Sequence, residues 1–207
     1  MKIVVVSDTH NQHEKLRALT GDVLVHCGDM FNLFDRASND VKRMDAWFGT
    51  LDFDQILCVG GNHDLSLEAA LRKTRQPFRN ATVLQDTRIV LNGVVFYGAP
   101  WVPMLKSHAF YQPDHEIKKR WSLIPEDVDV LITHSPPANI LDRSRSGERY
   151  GCSHLAAAVD RVRPRLHLFG HVHASAGILK TDHTTFVNAC SVDSHMNLVC
   201  EPYEYEV

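Results

Sequence analysis

Five short apolar runs each lead directly into side chains of the kind that bind metal ions. Residues 3–6 lead into Ser7-Asp8-Thr9-His10, residues 23–27 into Gly28-Asp29, and residues 56–59 into Gly60-Gly61-Asn62-His63-Asp64. Residues 128–132 lead into Thr133-His134, and residues 166–169 into Gly170-His171-Val172-His173. Taken singly, a DxH is a capped turn and a GHVH two exposed histidines; five in series point to a shared site. Carboxylates, an amide oxygen and imidazoles, with no thiolate, suit Mn, Fe, Zn or Ni and not a structural cysteine–zinc site. The candidate ligands Asp8, His10, Asp29, Asn62, His134, His171 and His173 outnumber those of one tetrahedral centre. With Asp29 bridging, two ions would each have four protein contacts, and ions about 3.5–4 Å apart are the arrangement for in-line displacement at phosphorus.

Such a site needs strands that end together. In open α/β sheets, sites form outside the carboxyl ends of the strands, so the five runs predict five strands sharing one rim. Between them, Ser38 caps a helix through Val41, Met44 and Phe48, and residues 65–73, 117–123 and 153–162 have helical spacing, the last closed by Pro164. Asn92-Gly93 between the apolar runs of residues 88–97 predicts a hairpin. Residues 196–207 alternate and read as a half-exposed strand, and a strand over 185–187 brings Asn188 near the rim. Gly28, Gly61 and Gly170 read as sharp backbone turns at that rim. The pattern is an α/β chain with added antiparallel strands, expected to be one domain over residues 1–207.

Composition narrows the function. A chain of 207 residues is one domain, or one with a cap, and 44% hydrophobic with 23% charged residues excludes disorder. With 22 Lys+Arg against 25 Asp+Glu there is no basic footprint for a duplex reader or a strand-tracking nuclease, though a small phosphorylated ligand is compatible. No apolar stretch reaches the about 7–15 residues of a signal peptide or the about 20 of a membrane span, so no membrane partner and a cytoplasmic location are expected. Cys27, Cys58, Cys152, Cys190 and Cys200 are odd in number and form no CxxC, as in a reduced protein, and Cys27 and Cys58 read as buried hydrophobes. Of 13 histidines, His10, His63, His134, His171 and His173 fall at the proposed site. His26 and His167 lie inside apolar runs and read as core, His115 and His154 as surface, and His13 as exposed loop.

The series DxH, GD, GNHD, H and GHxH, spanning Asp8 to His173, resembles the calcineurin-like metallophosphoesterase superfamily. The resemblance implies two mixed β-sheets sandwiched between helices in four layers, αββα, with a dinuclear site at the strand ends. It implies one metal held by Asp8, His10, Asp29 and His173, and the other by Asp29, Asn62, His134 and His171. His63 would then be the general acid facing the leaving-group oxygen, with a metal-bridging hydroxide attacking phosphorus in line. The stretches Gly98-Ala99-Pro100-Trp101, Trp121-Ser122-Leu123-Ile124-Pro125, Thr133-His134-Ser135-Pro136-Pro137 and residues 164–171 are similar to the small metallophosphoesterase-domain phosphodiesterases related to mammalian brain proteins. That likeness implies hydrolysis of cyclic nucleotides, 2′,3′- and/or 3′,5′-cyclic, usually with Mn2+. Some animal members lack the first His of GHxH, which is retained here as His171. Protein phosphatases of the superfamily read GDxxDR, where Asn32 and Leu33 stand here. This counts against a phosphoprotein phosphatase and leaves the residue that orients His63 open, with Asp64 one option.

Substrate contacts are expected from Arg143, Arg145 and Arg149, whose forks suit phosphate, and from Trp101 as the floor of a nucleobase pocket. The expected partner is a small phosphate ester, a nucleotide, with no stable nucleic-acid partner. The competing readings are a broad phosphomonoesterase and a non-catalytic scaffold on the same fold.

Overall fold

Valine- and isoleucine-rich runs favour the pleated, buried backbone of a strand, and each run becomes one. The computed structural model describes residues 1–16, 19–32 and 39–207. Its first half contains β1 (Lys2–Val6), β2 (Thr20–His26), α1 (Asp40–Phe48), β3 (Asp52–Cys58), α2 (Leu65–Leu71) and β4 (Thr82–Val83). Then follow β5 (Thr87–Leu91), β6 (Val94–Ala99), α3 (Asp114–Ser122), β7 (Val130–Thr133), α4 (Ser153–Val162) and β8 (Leu166–Phe169). The chain closes with β9 (Gly177–Lys180), β10 (Thr185–Asn188) and β11 (Tyr203–Glu206). The proposed Ser38 cap and the Leu33 position lie outside the described residues.

One sheet has the order β11-β1-β2-β3-β4 and the other β5-β6-β7-β8-β10-β9. Both are mixed: β11, β5 and β9 pair antiparallel with their neighbours, while β1-β2-β3-β4 and β6-β7-β8-β10 are parallel. Alternate side chains of each strand enter different layers. Ile3, Val5, Val23 and Val25 join Phe96, Val130, Ile132, Leu166 and Leu168 between the sheets. Val4, Val6 and Leu24 belong instead with Met44, Trp47 and Phe48 of α1 and Leu67 of α2, and Leu131 and Phe169 with Trp121 of α3 and Leu155 of α4. Because these strands are covered on both faces, they read as continuous apolar runs. The layers run αββα. A buried Val, Leu or Ile side chain contributes about 1.5–3 kcal/mol, so this double burial holds the strand ends in place.

The hairpin turns at Asn92 (φ 49°) and Gly93 (φ 82°), both in the left-handed region that a two-residue turn demands. Arg163 (φ 51°) ends α4 just before Pro164. The C-terminal strand is shorter than the alternation over 196–207 suggests. The Asp193 carboxylate takes the N–H groups of His195 (2.8 Å) and Asn197 (2.9 Å) and curls this segment into a turn, leaving only Tyr203–Glu206 on β1. Among the described residues, no helix is long and apolar enough to cross a membrane.

Candidate metal centre

Parallel register sets the rim. Val6 pairs with His26 and His26 with Cys58, so β1, β2 and β3 stop level, and their following residues carry Asp8, Asp29 and Asn62. On the other sheet Ile132 pairs with Leu168, which brings His134 beside the Gly170-to-His173 turn. The two sheets meet here through a Ser7–Cys190 bridge and the Ser191 N–H donating to the Ser7 carbonyl (2.8 Å). Past the strands the backbone bends hard: Asp8, His10, Asp29 and His171 have φ of 53, 43, 52 and 72°. Non-glycine residues in that region cost about 1–3 kcal/mol each and cluster at functional sites. The bends are cross-braced, with Asp8 N–H on the Gly28 carbonyl (2.9 Å) and His10 N–H on the Asp29 carbonyl (3.1 Å).

Asp29 is central. Its Oδ1 accepts the His63 backbone N–H (2.7 Å), while Oδ2 stands 3.5 Å from His134 Nε2 and 3.9 Å from Nε2 of both His10 and His63. On one side, His10 Nε2 faces His173 Nε2 at 3.3 Å, and Asp8 Oδ1 lies 3.2 Å from His173 Nε2. On the other, His134 Nε2 meets Asn62 Oδ1 at 3.0 Å, and the His171 ring lies 5.0 Å from that of His134. Two ligand triads, His10/Asp29/His63 and Asp29/His134/His171, therefore share Asp29, and a third is Asp8/His173/Cys190.

The donor set fits divalent cations. His10, His134 and His173 each give Nδ1–H to a backbone carbonyl, of Phe31 (3.1 Å), Cys27 (2.9 Å) and Asp193 (3.1 Å). Those bonds fix the tautomer and point each Nε2 lone pair at the others, at the Asn62 oxygen and at two carboxylates. Acceptors packed on acceptors need a cation or a proton between them. Without an ion, protons fill that role. Burial would lower the pKa of His134, but Asp29 outweighs it and carries the imidazole up to about 9. Burial would likewise raise Asp8 and Asp29, but the surrounding imidazoles hold both below the usual carboxylate range. His171, with burial dominant, falls to about 3 and His63 is lowered, both favouring neutral rings.

Space around the centre is tight. Gly28 is a turn glycine (φ 96°) whose Cβ would also meet His134 Nδ1 at 2.8 Å. Gly170 needs no unusual φ; it is held to glycine by proximity, since a Cβ there would land on Asp8 Oδ2 and Ser7 Oγ. Asp64 does not reach His63. Its carboxylate accepts N–H from Gly61 (2.8 Å) and Phe31 (3.0 Å), tying the GNHD turn to the GD loop, and burial beside Asp29 pushes its pKa up to about 8. His63 Nδ1 is buried with no hydrogen-bond partner among the described residues.

Of the expected substrate contacts, Arg145 lines a cleft of about 280 Å³ together with His171 and His173, and its Nη1 donates to His195 Nε2 at 3.3 Å. Arg149 is bound to the buried Asp142, and Arg143 is exposed, its backbone fastened to Ser175. Trp101 lies away from that cleft: its Nε1–H donates to Asp86 (2.7 Å) and Arg120 stacks over its ring at 4.3 Å. Asn188 sits behind the rim, giving Nδ2–H to the Val172 carbonyl (2.9 Å). His13, expected exposed, is buried against Trp47, their rings 5.0 Å apart. Sequence reasoning missed Cys190 and Ser7. The Ser7 hydroxyl (2.5 Å) and the Cys190 thiol (3.1 Å) both donate to Asp8 Oδ2, leaving Oδ1 turned to His173.

Known proteins resemble this chain in sequence and in fold. The profile described as Calcineurin-like phosphoesterase matches residues 1–175. Human metallophosphoesterase domain-containing protein 1 is 34% identical over 220 residues, covering 93% of this chain and 67% of that protein. A UPF0046 protein of Caenorhabditis elegans is 32% identical over 222 residues, covering 100% of this chain and 75% of its own. The crystal structure of TT1561 of Thermus thermophilus superposes with a TM-score of 0.61 at 16% identity, covering 90% of this chain and 88% of that one, a likeness of fold.

Proposed function

The chain belongs to the calcineurin-like phosphoesterase family, whose members hydrolyse phosphoesters with metal ions, and from that premise we propose a dinuclear phosphodiesterase acting on cyclic nucleotides, 2′,3′- and/or 3′,5′-cyclic. The observation that carries the reading is the set of imidazole Nε2 atoms gathered around Asp29 Oδ2, with the Asn62 oxygen against His134, where protons stand without an ion and divalent cations would replace them. Asp8, His10, Asp29 and His173 hold one ion; Asp29, Asn62, His134 and His171 hold the other. Two divalent ions, Mn2+ in first place and Fe, Zn or Ni as alternatives, supply Lewis-acid charge and a nucleophilic water near neutral pH. The bonds from His10, His134 and His173 to backbone carbonyls keep their Nε2 atoms aimed without reorganisation.

His63 is the proton donor, its ring taking up the proton once the negative phosphate of an ester lies against Nε2. Its backbone is locked to Asp29, its ring stands 4.7 Å from that of His10, and its side chain remains 24% exposed, so an entering ester can reach Nε2. General-acid help from such a group is worth about 10²–10⁴-fold. Arg145, at the edge of the cleft, grips the phosphate. The substrate is small, the 207 residues act as one domain, and the protein works in the cytoplasm.

Turnover of 2′,3′-cyclic AMP, 3′,5′-cyclic AMP, bis(p-nitrophenyl) phosphate and p-nitrophenyl phosphate in Mn2+ tests the reading. We expect both diester classes to exceed the monoester. A monoester preference would make the chain a phosphomonoesterase, and no turnover with no bound metal would make it a scaffold.

A further inference from the structure

Residues 139–151 form a hairpin that leans over the His171–His173 turn, and the activity proposed above uses only its Arg145. The hairpin is built, not loose. An antiparallel bridge pairs Arg143 with Arg149, the Ser144 N–H donates to the Glu148 carbonyl at 2.8 Å, and Gly147 makes the turn at φ 92°, while a parallel bridge joins Pro137 and Cys152 where the two ends of the segment meet. At its base the buried Asp142 carboxylate takes the Asn139 N–H (2.8 Å) and the Arg149 guanidinium. It is also fastened to the rim: the Ser175 hydroxyl donates to the Arg143 carbonyl (2.6 Å), and Asn188 Nδ2–H to the Leu141 carbonyl (3.2 Å).

Between this arm and Leu105 opens the cleft of about 280 Å³, bordered by His171, Val172 and His173. Tyr150 is one of its walls, half-buried, with its ring centroid 6.2 Å from that of His171 and its plane at 88° to it. The hydroxyl is spent on Glu148 at 2.9 Å, so what Tyr150 offers the cleft is its ring. A cleft lined by a tyrosine ring and a leucine beside the proposed phosphate site suits a flat organic group better than a small alkyl one, because aromatic stacking adds to apolar burial.

We propose that Tyr150 is a specificity-determining residue that packs its ring on a planar organic group of the phosphoester while the phosphate sits at His171 and His173. This rests on the phosphoesterase reading of the same site.

Phenylphosphonate and methylphosphonate carry the same head group, differ in the ring, and resist hydrolysis. Their binding to the Mn2+-loaded protein, measured by calorimetry, separates the two ideas. The wild type should bind phenylphosphonate about 10-fold more tightly than methylphosphonate. Tyr150→Ala should erase that preference by weakening phenylphosphonate alone, and Tyr150→Phe should restore it. Equal affinities in the wild type, or a preference that survives Tyr150→Ala, would overturn the role of Tyr150 while leaving the metal site standing. If neither phosphonate binds the loaded protein, the phosphoester reading fails and this inference with it.

Discussion

The histidines at the strand ends and the two inside the strands, His26 in β2 and His167 in β8, are of one type and all buried or half-buried, yet they keep opposite company. His26 Nδ1 accepts the Gly28 N–H (3.3 Å), so its Nε2–H donates to the Thr9 hydroxyl (3.0 Å). Thr133 gives its proton to the Ser135 carbonyl (2.8 Å) and so accepts from His167 Nε2 (2.9 Å). Burial lowers both rings to about 3, and they are neutral groups bonded through Nε2. At the rim His10, His134 and His173 invert the pattern: Nδ1 is committed to a carbonyl, and Nε2 faces other acceptors. Burial and residue type do not make a ligand. What Nε2 faces does.

Chelation should separate the two groups most sharply. Removing divalent ions should abolish turnover and lower the melting temperature, with both returning on Mn2+, because ions bound only to the native state stabilise it. Heating curves and rates before and after reconstitution check this. Next in size, His63→Gln should lower kcat about 10²–10⁴-fold while metal content, read by elemental analysis, stays at the wild-type level.

The interior pair answers to acid instead. Both folded pKa values are depressed from an ordinary 6.5 to about 3, so their stabilisation is complete above pH 6.5 and is lost as pH falls from there towards 3. Each contributes a slope of up to about 1.4 kcal/mol per pH unit in that window. In chelator-treated protein, His167→Gln should flatten the dependence of unfolding free energy on pH between about 6 and 4, as read by urea titration. An unchanged slope would mean that His167 already carries a proton in the fold. Smallest is the effect of Cys190. Cys190→Ala removes one donor from Asp8 Oδ2 and should weaken metal binding about 10-fold, with Cys190→Ser recovering most of it.

Much of this arrangement was legible in the sequence, because an apolar run followed at once by Asp, Asn or His states both the strand and where it ends. What stayed hidden was long-range. Cys190 reaches Asp8 across 182 positions, through a bridge between two sheets that no local pattern announces. His13 is flanked by Gln12 and Glu14 and looks exposed, but Trp47 of α1 covers it. Asp64 looked like a partner for its neighbour His63 and is held instead by the amides of Gly61 and Phe31. Tyr150 lies in a polar stretch whose hairpin pairing appears only once Asp142 and Ser175 have pinned it. The tryptophan at 101 had the right chemistry for a nucleobase floor, but Asp86 and Arg120 engage it elsewhere.

The central claim is that Asp29 joins two metal sites. Metal content per chain after Mn2+ reconstitution, for the wild type and for Asp29→Ala, tests it most directly. The account predicts two ions per wild-type chain and the loss of both, with turnover, in Asp29→Ala. An Asp29→Ala protein that still holds two ions and turns over substrate at the wild-type rate would contradict it.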